Sequence, residues 1–136
     1  MSFDLSQTIA RDHDAAPQVL VVEDQEAIRD STVAILRAAG FGVVPAADGV
    51  EALDVLRQHD VDVLLLDLGL PRMNGPEVLE RLVDPPPVVV VSGFEHDDEA
   101  EIRNRFGACV VDCLHKPVHP TRLLDATSGA LRRQAG

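Results

Sequence analysis

A chain of 136 residues with 46% hydrophobic content can bury one core of ordinary domain size, with no sign of a second. Its formal net charge of −11 excludes the basic face that a nucleic-acid surface needs and points instead to protein partners or small cations. No apolar run approaches the roughly 20 residues of a membrane span; the opening MSFDLSQTIARDHDAAP also lacks a secretory signal's basic start and apolar core, so a cytoplasmic protein without membrane insertion is expected.

Residues 1–17 are polar, acidic and aperiodic, which reads as a flexible N-terminal tail. Residues 18–133 then alternate strand-like and helix-like segments as one domain, leaving 134–136 as a C-terminal tail. Strand one is Val19–Val22. A helix over about Glu26–Ala39 follows, with Ile28, Thr32, Ile35, Leu36 and Ala39 on its inward face and Gly40 as a left-handed cap. Strand two, Gly42–Ala46, contains Pro45, which cannot donate to a ladder and so belongs on an edge. The second helix opens on the capping-box pattern Asp48-Gly-Val-Glu51 and runs to Gln58.

Strand three, Val61–Leu66, is almost wholly aliphatic, as a parallel strand covered on both faces should be. Helix three opens on Asn74-Gly-Pro-Glu77 and is closed by Pro85-Pro86-Pro87, a rigid connector into strand four, Val88–Val91. Helix four covers Asp97–Phe106. Strand five is Val110–Leu114, less uniformly apolar because of Asp112 and therefore suited to the opposite edge. Pro120 at a first helical position starts helix five, with Leu123, Leu124, Thr127 and Leu131 inward. The alternation predicts an α/β fold with a five-stranded parallel sheet of order 2-1-3-4-5 and helices on both faces. Cys109 and Cys113 lack the companions of a zinc site and read as reduced, partly buried thiols.

The chemistry sits where the strands end. In an open parallel sheet the carboxyl ends of the strands border the ligand crevice, so Glu23, Asp24, Asp67, Ser92 and Lys116 should converge. Taken singly, Glu23-Asp24 is a solvated turn, Ser92 a turn residue and Lys116 a surface lysine. Taken together, three crowded carboxylates repel one another and suit a hard divalent cation such as Mg²⁺. The Ser92 hydroxyl can donate to a phosphoryl oxygen, with Gly93 leaving room, and the Lys116 ammonium can neutralise its charge. A cis Lys116–Pro117 bond would aim that side chain inward. His115 and His119 flank the lysine and are read as non-catalytic.

The stretches VLVVEDQEAIRD, ADGVEAL, DVLLLDLGLPRMNGPEVL, VVVVSG and LHKP together resemble the receiver domain of bacterial two-component response regulators, over residues 18–133. The resemblance implies a flavodoxin-like (βα)5 three-layer sandwich and phosphorylation of Asp67. It implies Mg²⁺, with Mn²⁺ as a substitute, at Glu23, Asp24, Asp67 and the backbone carbonyl of Gly69. It further implies catalytic roles for Asp67, Lys116 and Ser92, and a switch running through Ser92 and position 113. The phosphoryl donor would be a sensor histidine kinase or a histidine phosphotransfer protein. Output would pass to a downstream target protein or through a phosphorylation-dependent homodimer. Such a domain catalyses only its own phosphorylation and dephosphorylation and is not a turnover enzyme.

Departures from the family pattern bear on output. Cys113 stands where Tyr or Phe is usual, so the aromatic switching route is missing, and the stretch from Ser92 to Lys116 is about two residues long by family standards. Helix four is therefore expected to be displaced or partly unwound. Gly69 has no side chain to cover the site, and Phe94 is expected to shield it instead. Two competing readings follow: a phosphorylation-independent interaction module, and a haloacid-dehalogenase-like phosphatase. The second fails on order, because its Asp-x-Asp pair belongs to the first strand and position 69 is Gly.

Overall fold

The structure, a computed structural model, describes residues 16–93 and 99–135. The expectations for most of the N-terminal tail, for Phe94, for a helix start at Asp97 and for Gly136 lie outside the described residues.

Five strands, β1 (Gln18–Val22), β2 (Gly42–Ala46), β3 (Val63–Asp67), β4 (Val88–Ser92) and β5 (Val110–His115), form one parallel sheet of order β2-β1-β3-β4-β5. The helices α1 (Glu26–Ala38), α2 (Gly49–Gln58), α3 (Gly75–Glu80), α4 (Glu99–Phe106) and α5 (Pro120–Ala135) supply the crossovers. The fold class and strand order match the expectation, with Pro45 on the outermost strand.

Strand periodicity sorts the core into two layers. Leu20, Val22, Leu64, Leu66, Val88 and Val90 pack with Ala52, Leu53, Val78, Leu79 and Ile102 of α2, α3 and α4. The alternate residues Val19, Val21, Val63, Leu65, Val89 and Val91 pack with Val33, Leu36, Leu123, Ala126 and Ala130 of α1 and α5. Both faces of β3 and β4 are thus buried, which explains their unbroken aliphatic composition.

Caps set the helix positions. Gly40, at φ 99°, ends α1: its N–H donates to the Arg37 carbonyl at 3.0 Å and that of Phe41 to the Leu36 carbonyl at 3.1 Å. Asn74 and Glu77 exchange both capping-box bonds at the start of α3. At α2 only half the box forms as drawn: Asp48 accepts from the Glu51 N–H, while Glu51 accepts from Ala47, one residue earlier.

Several sequence expectations need correction. Three strands carry on to their polar ends, at Asp67, Ser92 and His115, because backbone pairing does not stop with the last apolar side chain. β3 begins at Val63 rather than Val61, since Asp62 turns to accept from the Gln18 N–H. α1 stops at Ala38; Ile28 and Ala39 are exposed, and the buried stripe runs through Val33 and Leu36. Leu124 and Leu131 are only partly buried, and Ala126 and Ala130 take the inner positions of α5. α3 ends at Glu80, ahead of the proline run, and Asp84 just before Pro85 sits at φ 50°, where the ring bars the helical region.

Candidate functional site

The carboxyl ends of β1, β3, β4 and β5 bring the chemistry-bearing residues together. Glu23, Asp24 and Asp67 each offer a carboxylate oxygen within 4.8 Å of the others. Lys116 reaches in from beyond β5, its Nζ 2.8 Å from Glu23 Oε1 and 3.0 Å from Asp67 Oδ2. Its own N–H donates to the Ser92 carbonyl at 2.8 Å, which ties the lysine to the end of β4. The Lys116–Pro117 bond is cis.

Local bonds fix Glu23 and Asp67. The Glu23 N–H donates to the Ala46 carbonyl and Glu23 Oε2 accepts from the Gln25 N–H at 3.1 Å, while Arg29 donates to the Glu23 carbonyl. Asp67 Oδ1 accepts from the Gly69 N–H at 3.0 Å. Gly69 therefore meets the Asp67 side chain through its amide. Gly75 allows this turn to close: a Cβ there would lie 2.7 Å from Leu68 Cα and 3.1 Å from the Asp67 carbonyl oxygen.

Glu23 and Asp67 are each 5% exposed, whereas Asp24 faces solvent. Burial pushes the Glu23 carboxyl above its usual range; the Lys116 and Gln25 donors oppose this, and the charge on Asp67 reinforces it. Burial alone would lower the Lys116 ammonium, but hydrogen bonds from it to Glu23 and Asp67 outweigh that and leave it raised. The site is thus rich in oxygen donors and holds a carboxylate under electrostatic pressure. That donor set fits a hard divalent cation.

Ser92 is 5% exposed, and its hydroxyl meets the neighbouring strand. Its Oγ lies 3.2 Å from His115 Nδ1, and His115 Nε2 lies 3.1 Å from Glu99 Oε1 at the start of α4. Sequence reasoning set His115 aside, and this contact could not have been read from its type or spacing. Cys113 is buried among the residues facing α2, α3 and α4, and burial raises its thiol pKa, as it does for the half-buried Cys109. Both thiols are free. His119 is structural: its Nδ1 accepts from the Thr121 N–H in the first turn of α5.

A family model described as the response regulator receiver domain matches residues 19–128. The chain belongs to that family. This receiver domain of two-component signalling is 34% identical over 122 residues to the cell cycle response regulator CtrA of Brucella ovis, covering 88% of this chain and 52% of that protein. It is 36% identical over 104 residues to protein-glutamate methylesterase/protein-glutamine glutaminase 1 of Anaeromyxobacter dehalogenans, covering 75% of this chain and 30% of the other. The chain thus spans about half, or less, of the length of these relatives. Among solved structures, a CheY-like receiver domain protein from Methanospirillum hungatei superimposes with a TM-score of 0.80 at 30% identity, covering 88% of this chain and 97% of that one.

The receiver's acidic site opens onto a groove of about 730 Å³ between α1 and the β5–α5 turn, lined in part by Ile28, Thr32, Ile35, Lys116, Pro117 and Val118. Of the residues expected to face the core on α1, Leu36 does so, whereas Ile28 and Thr32 border this groove and Ile35 packs against the core beside it. Among the described residues no helix is long and apolar enough to cross a membrane.

Proposed function

We propose that this receiver accepts a phosphoryl group on Asp67 from a phosphohistidine donor, in a reaction that requires a divalent cation, and signals by altering a protein-binding surface. The observation that carries the reading is the convergence of Glu23, Asp24 and Asp67 within 4.8 Å, with Lys116 bonded to two of them. The wider family membership supports it.

Each side chain has a role that its chemistry allows. Asp67 supplies the oxygen nucleophile, and the Gly69 amide at Oδ1 orients its carboxylate. Lys116, already held against Asp67 Oδ2, offsets charge on the transferred group, which is the main demand of phosphoryl transfer. The Ser92 hydroxyl is the donor available to a phosphoryl oxygen at the next strand end. Glu23, Asp24 and Asp67, with the Gly69 carbonyl, would hold Mg²⁺ or Mn²⁺, which supplies further charge neutralisation when bound. The donor would be a sensor histidine kinase or a histidine phosphotransfer protein, and the receiver would act on a downstream target or on a second copy of itself. The chemistry is self-modification, without turnover of a separate substrate.

Intact mass after incubation with acetyl phosphate tests this directly. A gain of one phosphoryl group that needs Mg²⁺, is abolished by EDTA and is absent in Asp67→Asn is the expected result. No gain, together with no thermal stabilisation by beryllofluoride, would overturn it in favour of a phosphorylation-independent interaction module.

A further inference from the structure

The contacts that run on from Ser92 to His115 and Glu99 have no place in the phosphoryl chemistry above, yet they join that site to α4. The three residues come from β4, β5 and α4, and Ser92 and His115 are direct partners in the β4–β5 ladder. Their side chains stand on the sheet face that carries α4, the same face as Cys113 two residues earlier.

Proton placement gives the chain a direction. A carboxylate beside Nε2 keeps the proton of a neutral ring on that nitrogen, so Nε2–H donates to Glu99 and Nδ1 is left as an acceptor. In that tautomer the Ser92 O–H, 3.2 Å from Nδ1, is the donor. A hydroxyl has one proton. Once it donates to a phosphoryl oxygen on Asp67, it cannot also donate to His115, and the bond between the β4 end and the ring is exchanged for one to the phosphoryl group.

We propose that His115 is a positioning residue for Ser92, and that the Ser92–His115–Glu99 chain carries the phosphorylation state of Asp67 into α4. This rests on the reading of Asp67 as the phosphoacceptor. It assigns the coupling to residues other than position 113, where Cys113 is small and buried. Glu99 suits the far end of the relay, because its Oε2 also accepts from Arg103 Nε at 3.3 Å, one turn along α4. A change at His115 is thereby felt by an ion pair that spans the first turn of the helix.

The experiment is hydrogen exchange in α4 of the full chain with Mg²⁺, with and without beryllofluoride, alongside beryllofluoride affinity from thermal shift. In the wild type, beryllofluoride should alter exchange across residues 99–106. Glu99→Ala leaves the Asp67 site and Ser92 in place, so it should still bind beryllofluoride but lose the α4 response. His115→Ala should lose the response and bind more tightly, because Ser92 no longer has to leave a partner. His115→Asn keeps an amide oxygen for the Ser92 proton without reaching Glu99, so it should restore wild-type affinity and still lack the response. An unchanged α4 response in His115→Ala and Glu99→Ala, or a wild-type α4 that ignores bound beryllofluoride, overturns the relay. Wild-type protein that fails to bind beryllofluoride overturns the phosphoacceptor reading itself.

Discussion

Replacing Lys116 with Met removes one ammonium from between two acids that are each 5% exposed. Breaking a buried ion pair from one side costs about 3–5 kcal/mol, because it strands the partner charge. Two features reduce that figure here. The Lys116 side chain is 21% exposed, so part of its charge is already screened, and removing it also removes its own desolvation. The expected loss is about 2 kcal/mol near neutral pH in chelator, or roughly 5–10 °C in Tm for a domain of this length. Acid should erase the difference, since protonated Glu23 no longer needs a cationic partner. Alkali should erase it from the other side. The Lys116 ammonium titrates above its usual value, so its stabilisation is full below about pH 10.4 and fades as pH rises through the raised pKa. A cation at about a hundred times its Kd adds about 2.7 kcal/mol to the state that binds it, and it should rescue the variant more than the wild type. Urea unfolding with EDTA and with Mg²⁺ is the assay. A variant whose midpoint in chelator equals or exceeds that of the wild type would refute the reasoning.

Glu23→Gln should be more stable than wild type in chelator at pH 7. The folded-state pKa of Glu23 is raised, so its charged form opposes folding above the usual carboxylate range and not below it. Melts at pH 7 and in acid should show a gain only at the higher pH, with part of the Mg²⁺ stabilisation lost. Asp112 behaves oppositely: its two bonds to Arg122, at 2.8 and 2.9 Å, hold its carboxyl below the usual range. That contribution is present above about pH 3.9 and lost as pH falls through the depressed value, so Asp112→Asn should lose up to about 1 kcal/mol at pH 7 and converge with wild type in strong acid. Gly75→Ala drives a methyl group into Leu68 and should destabilise by about 1–3 kcal/mol in urea. Because Leu68 follows Asp67, slower uptake from acetyl phosphate should accompany it.

The sheet order was readable because Pro45 excluded strand two from the interior and the aliphatic runs of β3 and β4 demanded cover on both faces. The convergence of Glu23, Asp24, Asp67 and Lys116 was readable for a related reason: parallel strands put their ends on one rim. The Ser92–His115 contact was not. Counting up from Val88 opposite Val110, an unbroken register would set Ser92 against Leu114. The ladder slips between Val88 and Val89, leaving Val111 as an extra residue, and Ser92 meets His115 instead. No apolar pattern signals that slip, since Val110 and Val111 are alike. The outward turn of Ile28 was hidden for another reason. A groove wall beside a ligand site and a core face have the same apolar composition, and only the packed structure separates them.

The irregularities at the two borders of the sheet also bear on how copies of this domain can meet. β2 lies on one border and contains a residue with no amide hydrogen, at Pro45; β5 lies on the other and carries an extra residue at Val111. An open strand with evenly spaced donors and acceptors is a template for adding another chain, and proline and bulges are two of the devices that spoil it. Among the described residues each border thus carries a feature that disfavours strand addition into ribbons or fibrils.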